Sequence, residues 1–595
     1  MREMLSLSKQ SKLLYLQNRD ILTLIFHFPQ TNKKKNIVED IMKKTFLLFI
    51  LALCSIALFA QNEDWFWAKK AGGTSYDNGL SIAIDANENS YVTGYFSGSA
   101  TFGTTTLTSS SEYYSDIFVA KLDNNSNWLW VKQAGGTNWD YGYGIAVDAN
   151  GNSYVTGYFY NSATFGTTTL TSSGYADIFV AKLDSSGNWL WAKQAGGASF
   201  DYGYGIAVDD NGNSYITGVF EEIATFGTTT LTSSGYEDIF VAKLDSNGNW
   251  LWVKQAGGTG WDDYGRGIAV DANGNSYVTG YFWDSATFGT TTLTSSGNSD
   301  IYVAKLDCNG NWLWAKQAGG TGWDDGYSIA VDANGSSYVT GFFMESATFG
   351  TTTLTSSSEY YSDIFVAKLD SSGNWLWVKQ AGGTDYDCGY GIAVDANGNS
   401  YITGCFNYIA TFGTTTLTSS GSTDIFIAKL DSSSNWLWVN QAGGTIDDGG
   451  RSIAVDANGN SYVTGYFEES ATFGTTTLIS SGYEDIFVAK LGEVNSIDLP
   501  DIISFSGIHS IYPNPFNPLT TIDYEISMPA DVKIEVYNNR GQLVRNFILG
   551  YKKQGSYKLT WEGEDNNGCL CSTGIYYIRM QAGKEIYIKK AVLLK

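Results

Sequence analysis

The chain has 595 residues, of which 43% are apolar and 15% aromatic, with 67 glycines, only 6 prolines and a formal net charge of −24. That length allows several buried cores, and the Gly- and aromatic-rich, Pro-poor mix fits many short strands joined by tight turns rather than helices or disorder. Residues 61–504 carry 16 basic against 48 acidic side chains, a surface that repels nucleic acid and anionic lipid.

In chain order, Met42-Lys43-Lys44 precedes the apolar run 45–53, small residues recur at Ala57 and Ala60, and Gln61-Asn62-Glu63-Asp64 follows. A basic start, an apolar centre and a small-residue end read as a secretory signal peptide over 42–60, too short to span a bilayer comfortably. Residues 1–41 lack periodicity and would bury that signal, so translation is expected to begin at Met42, with 1–41 untranslated or disordered. Leu53 before Cys54 is larger than lipoprotein processing takes, which favours simple cleavage near Ala60. No other segment is long and apolar enough to cross a membrane, and the mature chain is expected to be secreted or held at the cell surface.

From there one pattern repeats. The aspartate closing a Val/Ile-Asp segment stands at Asp85, Asp148, Asp209, Asp271, Asp332, Asp395 and Asp456, with spacings of 61–63 residues. A second aspartate recurs in step at Asp116, Asp177, Asp238, Asp300, Asp363, Asp424 and Asp485, each opening Asp-Ile-Phe/Tyr-Val/Ile-Ala-Lys-Leu. A fixed period of this fidelity means an array of one supersecondary unit.

Within a unit, 144–148 alternates, Asn150-Gly151 turns the chain, and 153–159 returns; Asn-Gly is the strongest short hairpin signal. A Thr-rich connector (163–171) leads to a second hairpin, 177–183 and 188–193. Four strands per unit, labelled a to d, predict an antiparallel blade, and stacked blades closing radially predict a seven-bladed β-propeller over 61–491. The seventh unit stops at Leu491 without its Trp-rich strand d, and that strand stands instead at Trp65-Phe66-Trp67-Ala68-Lys69-Lys70. The amino-terminal strand is therefore expected to complete the last blade and remove two open edges. Fourteen of the 19 tryptophans form Trp-x-Trp pairs in strand d; residues two apart are expected on one face, filling the space between blades.

The run 144–158 (Gly-Ile-Ala-Val-Asp-Ala-Asn-Gly-Asn-Ser-Tyr-Val-Thr-Gly-Tyr) followed by 177–184 resembles the seven-bladed bacterial β-propeller repeat family (SBBP). The resemblance implies the fold and an extracellular bacterial setting, without a settled activity.

After a linker (492–510) the composition changes. Tyr512-Pro513-Asn514-Pro515, the Gly541 turn, Gly574-Ile575-Tyr576-Tyr577 and the tail from Lys590 to Lys595 frame alternating strands of a small immunoglobulin-like β-sandwich over 511–595. The ordered motifs resemble the type A sorting domain of the type IX secretion system, which implies that system's machinery as a partner. An ordinary immunoglobulin-like module shares the strand plan.

For function, two histidines, His27 and His509, leave little material for a Ser-His-Asp apparatus or a His-rich metal site. Seven near-copies offer no singular catalytic constellation, so no catalytic residue and no cofactor is expected. The Asp-Ala-Asn-Gly-Asn turn lacks the further carboxylates of a calcium loop, and no metal site is expected. Repeat-to-repeat variation falls in the d–a and b–c loops, which share one face. There an apolar ring precedes Asp: Tyr76/Asp77, Trp139/Asp140, Phe200/Asp201, Trp261/Asp262, Trp323/Asp324, Tyr386/Asp387 and, with Ile, Ile446/Asp447. Such pairs suit sugar stacking with hydroxyl hydrogen bonding, or a ring plugging the blade while Asp caps the turn. Trp139, Asp140, Trp261, Asp262, Trp323, Asp324 and the unrepeated Trp283 are the candidate ligand contacts. Cys388 and Cys405 are expected opposite one another and able to form a disulfide. The first reading is a non-enzymatic binding protein for glycan or protein; an exported carboxylate-dependent glycoside hydrolase and a purely structural surface module are the alternatives.

Overall fold

The computed structural model describes residues 63–111, 113–493, 506–526 and 529–595. The expected signal peptide, residues 1–41 and most of the expected linker lie outside them. The chain divides into two compact units, Met1–Glu493 and Val494–Lys595, and no helix occurs among the described residues.

The first unit is a series of four-stranded antiparallel sheets with the expected hairpins. In the second repeat the strands are Asp140–Val147 (a), Ser153–Phe165 (b), Thr168–Leu183 (c) and Trp189–Gly197 (d), paired in sequence order. The turns are built by side chains. Asp148 Oδ1 accepts from the backbone of Asn150 and Asn152 (both 2.9 Å), and Oδ2 from Asn152 Nδ2 (2.7 Å), so this carboxylate is consumed by its own hairpin.

The first strand, Glu63–Gly73, runs antiparallel to strand c of the seventh repeat, Thr476–Glu493, with Ala68 opposite Ala489 and Lys70 opposite Phe487. That pairing extends to Glu63 opposite Glu493, so the repeat region ends at 493 rather than 491. Inner strands a of successive repeats pack side by side, and that of the seventh (Asp448–Val455) packs against that of the first (Asp77–Ile84). These are repeated propeller-like blades.

Successive blades are also laced by backbone. The Ala-Gly-Gly end of each strand d pairs with the Ala-Thr-Phe hairpin between strands b and c of the next blade: Gly135 with Thr164, Gly196 with Thr225, Gly319 with Thr348 and Gly72 with Thr101. The approach excludes any side chain. A Cβ on Gly197 would lie 1.6 Å from the Ile223 carbonyl oxygen, and one on Gly196, at φ +151°, 2.7 Å from the Asp177 carboxyl carbon. The Thr-rich connector is thus an interlock between neighbours.

The tryptophan pairs depart from expectation. A bulge between Lys121 and Leu122 leaves Leu129 as an extra residue, turning Trp128 and Trp130 to opposite faces. Trp128 packs edge-on against Phe102 of its own blade (5.3 Å). Trp130 reaches forward, its Nε1 donating to Ser185 O of the next blade (3.2 Å). Each strand d therefore serves two interfaces, and the intervening leucines (Leu129, Leu190, Leu251) are exposed.

In the second unit, strands Gly507–Tyr512, Thr520–Ile526 and Gly555–Trp561 form one sheet, and a four-stranded sheet contains Ala530–Asn538, Leu543–Lys552, Gly574–Ala582 and Glu585–Leu593. Buried Ile522, Ile534, Ile578 and Trp561 fill the core. The first strand starts within the expected linker, because Ile508 joins this core. The motif residues act as a clasp: Asn514 accepts from Val592 N (2.8 Å) and donates to Lys590 O (2.9 Å), while Lys595 N donates to Thr573 Oγ1 (3.1 Å). Gly541 takes φ +75° in its turn, Gly574 opens its strand, and Tyr512 is exposed.

Gly197→Ala is expected to destabilise the first unit by about 1–3 kcal/mol through forced overlap with Ile223, whereas Leu190→Ser on the exposed rim stays within about 0.5 kcal/mol of wild type. Thermal unfolding followed by circular dichroism distinguishes the two.

Candidate functional site

In every repeat the inner strand carries a one-residue bulge at the same place. Gly142 opposes Gly157 and Gly144 opposes Thr156, leaving Tyr143 as the extra residue; the other repeats share the irregularity. The flanking glycines are dictated by crowding: a Cβ on Gly142 would lie 2.4 Å from Thr93 Oγ1 of the preceding blade, and one on Gly157 1.8 Å from Tyr141 O. A bulge re-aims the side chain it adds. The seven added residues are Leu80, Tyr143, Tyr204, Arg266, Tyr327, Tyr390 and Arg451, and all seven line one cavity of about 520 Å³, within the range of small-molecule sites. Tyr95, Tyr141, Tyr158 and Asn78 join them. Most of the lining comes from the bulge and the residues beside it on each inner strand, with Tyr95 and Tyr158 added from strands b.

The walls are aromatic and the lining charges cationic. Tyr143 meets Tyr204 edge-on (5.1 Å between centroids), as Tyr327 does Tyr390 (5.0 Å). The Arg266 guanidinium sits 4.7–5.5 Å from the ring centroids of Tyr204, Tyr264, Tyr281 and Tyr327, and its Nε is 3.4 Å from Asp325 Oδ2. Burial pushes the Asp325 carboxyl up to about 6 against the pull of Arg266. Arg451 lies over Tyr390 (4.7 Å) and Tyr466 (5.0 Å). No aspartate or glutamate is among the described lining residues.

The candidates named from sequence divide into two sets. Trp139, Trp261 and Trp323 are exposed (44%, 72% and 51%) on the loop face. Trp139 abuts Tyr114 (4.7 Å) and Trp323 abuts the half-buried Trp283 (5.4 Å), so neighbouring loops brace each other. Asp140 and Asp324 are instead fully buried, which corrects their assignment as ligand contacts. Asp140 accepts from Gly136 N (2.7 Å) and Tyr160 N (3.1 Å), and Asp324 from Gly320 N (2.8 Å) and Met344 N (3.1 Å). In the fourth and seventh repeats that role falls to Asp263 and Asp448, one residue later than the sequence pairing placed it. Asp262 is freed by this shift and stays partly exposed beside Trp261. Cys388 and Cys405 stand directly opposite in the ladder, buried, as free thiols.

The cavity residues were missed because the inner strand looked uniform. The signal was present in the Gly-x-Gly/Ser segment, where x changes among Leu, Tyr and Arg while its neighbours barely change.

An all-β array of propeller-like blades followed by an immunoglobulin-like domain is the class of protein defined here. Five of the repeats (129–158, 190–219, 251–281, 313–341 and 376–404) match the SBBP β-propeller repeat, and residues 518–585 match the FlgD Ig-like domain. An uncharacterized WD repeat-containing protein of Acanthamoeba polyphaga mimivirus is 25% identical over 436 residues, covering 58% of this chain and 31% of the relative. Regulatory protein FlaEY of Caulobacter vibrioides is 26% identical over 338 residues, covering 52% and 34%. The chain thus spans about a third of the length of these relatives. Among solved structures, PorZ, a surface component of the type-IX secretion system of Porphyromonas gingivalis, is 12% identical, with a TM-score of 0.20, over 87% of this chain and 81% of that one.

The buried aspartates at the blade ends make stability pH-dependent. Burial pushes Asp77 up to about 7 and Asp140, Asp201 and Asp387 to about 8, despite backbone hydrogen bonds that oppose it. The folded chain keeps protons that the unfolded chain has lost above about pH 4, so stability falls as pH rises from 4 through 8. Melting temperature is expected to drop across that window, and Asp140→Asn to flatten the slope by up to about 1.4 kcal/mol per pH unit, read from melts at pH 5, 6, 7 and 8.

Proposed function

We propose that the repeats close into a seven-bladed β-propeller acting as a secreted or cell-surface binding protein for glycan or protein, with the C-terminal domain as a type A sorting domain read by type IX secretion machinery. The observation that carries the binding reading is the placement of variation. An invariant scaffold of laced blades presents changing residues at the exposed d–a loops and at the inner-strand bulges that line the cavity. Variable side chains on a rigid frame are where recognition concentrates.

The pairing of Glu63–Gly73 with the seventh blade supports closure. The cavity's tyrosines, serines and arginines, with no lining carboxylate among the described residues, favour binding over carboxylate-driven glycoside hydrolysis. No described helix is long and apolar enough to cross a membrane. The clasp of Asn514 on the last strand supports a recognition surface at the extreme carboxy terminus, built from Tyr512, Pro513, Pro515 and the exposed Lys590 and Lys595.

Removing residues 63–73 is expected to open two strand edges, lower the melting temperature and cause association, seen by calorimetry and light scattering; an unchanged monomer argues against the closed ring. Amino-terminal sequencing of exported protein is expected to start at Gln61. A glycan and peptide array probed with the secreted chain is expected to show selective ligands whose binding falls about tenfold, some 1.4 kcal/mol, in Trp261→Ala; an array without hits sinks the binding reading.

A further inference from the structure

The cavity is electrostatically unlike the rest of the repeat region. In a segment with 16 basic and 48 acidic residues, the charged side chains among the described lining residues are Arg266 and Arg451. They occupy bulge positions where other repeats carry tyrosine or leucine, so each cation is a local departure from the repeat.

The two arginines are not equivalent. Arg266 has a carboxylate partner in Asp325 at 3.4 Å and four aromatic neighbours. Arg451 has aromatic faces, Tyr390 and Tyr466, but among the described residues no carboxylate within ion-pair distance; the buried Nε of both arginines lacks a hydrogen-bond partner, so the missing carboxylate is what sets Arg451 apart. The nearby Glu484 is engaged by Asn78 Nδ2 at 3.2 Å and does not line the cavity. A recessed guanidinium with no counter-ion and an unmet Nε–H is costly unless an anion meets it, and its fork fits a carboxylate with two parallel hydrogen bonds.

The rest of the lining fits a sugar. Tyrosine rings present flat faces for the C–H side of a pyranose and hydroxyls for its oxygens. Ser81, Ser328 and Ser452 each accept a backbone N–H from the following blade, from Ile145, Ile392 and Ile82, which leaves their hydroxyl hydrogens available to donate.

We propose that the central cavity binds an acidic saccharide, its carboxylate held by Arg451 and its ring stacked on the surrounding tyrosines. This rests on the reading of the cavity as a binding site. Free uronic acid and the uronate end of a polysaccharide share that chemistry, and chain length separates them.

The test is titration calorimetry of the full chain with galacturonic acid, digalacturonate and trigalacturonate, against galactose and neutral galactobiose. The uronates are expected to bind at least tenfold more tightly than their neutral counterparts and to weaken with added salt; affinity that stops growing at the monomer identifies free acid, and affinity that grows with length identifies polymer. Arg451→Gln is expected to cost at least tenfold in uronate affinity at an unchanged melting temperature, and Arg451→Lys to recover part of it. Should Arg451→Gln unfold the chain, Leu80→Glu places a carboxylate in the cavity while keeping the arginine, with the same expected loss. Equal binding of neutral and acidic sugars, no uronate binding by wild type, or full binding by both Arg451→Gln and Leu80→Glu overturns the proposal. Array ligands lost in Trp261→Ala but retained in Arg451→Gln would leave the binding reading standing while the acidic-saccharide assignment fails.

Discussion

Blade-to-blade contact in this protein depends on backbone meeting backbone. Where the Ala-Gly-Gly end of one outer strand meets the Ala-Thr-Phe hairpin of the next blade, carbonyl oxygens occupy the space a Cβ would need. Inner strands are held as tightly, with Gly142 against Thr93 of the preceding blade, as Gly203 is against Thr156. Close packing at both radii leaves little freedom between blades. It also explains why glycine recurs at fixed places in a chain that otherwise varies its loops. The tryptophans finish the arrangement from the outer edge, one ring facing back and one forward.

The inner-strand bulge converts this rigidity into a site. A regular strand would alternate its side chains between the two blade interfaces. One added residue breaks that alternation and turns a side chain into the cavity in each repeat. The scaffold can then stay constant while single positions set the chemistry of the cavity: an apolar contact at Leu80, a ring at Tyr143, an ion-paired cation at Arg266 and, at Arg451, one with no carboxylate at ion-pair distance among the described residues.

Much of this was legible in the sequence. The 61–63-residue spacing, the Asn-Gly hairpins and the displaced Trp65–Lys70 strand point directly to repeated four-stranded blades and to the partner of the first strand, while the lacing of the Thr-rich connector to the next blade shows only in the pairing. What period-two reasoning could not supply was the bulges. Leu129 between Trp128 and Trp130, and Tyr143 between two glycines, look like ordinary alternation until pairing shows two residues opposite one. The loop aspartates misled for a different reason. An acid beside an aromatic ring suits a sugar, but Asp140 and Asp324 are withdrawn from solvent by backbone N–H groups, and an extra loop residue in the fourth repeat moves that role from Asp262 to Asp263.

Each interface uses the same glycines and hairpin, so repeats share most of their joints, while the inter-blade bonds of Ser81, Ser328 and Ser452 belong to particular neighbours. Exchanging two repeats would keep these shared joints yet reorder the residues around the cavity, bringing Arg266 and Arg451 nearer or farther apart. The chemistry of the cavity in such an array can therefore change by shuffling whole modules, with the shared glycine and hairpin joints left as they are.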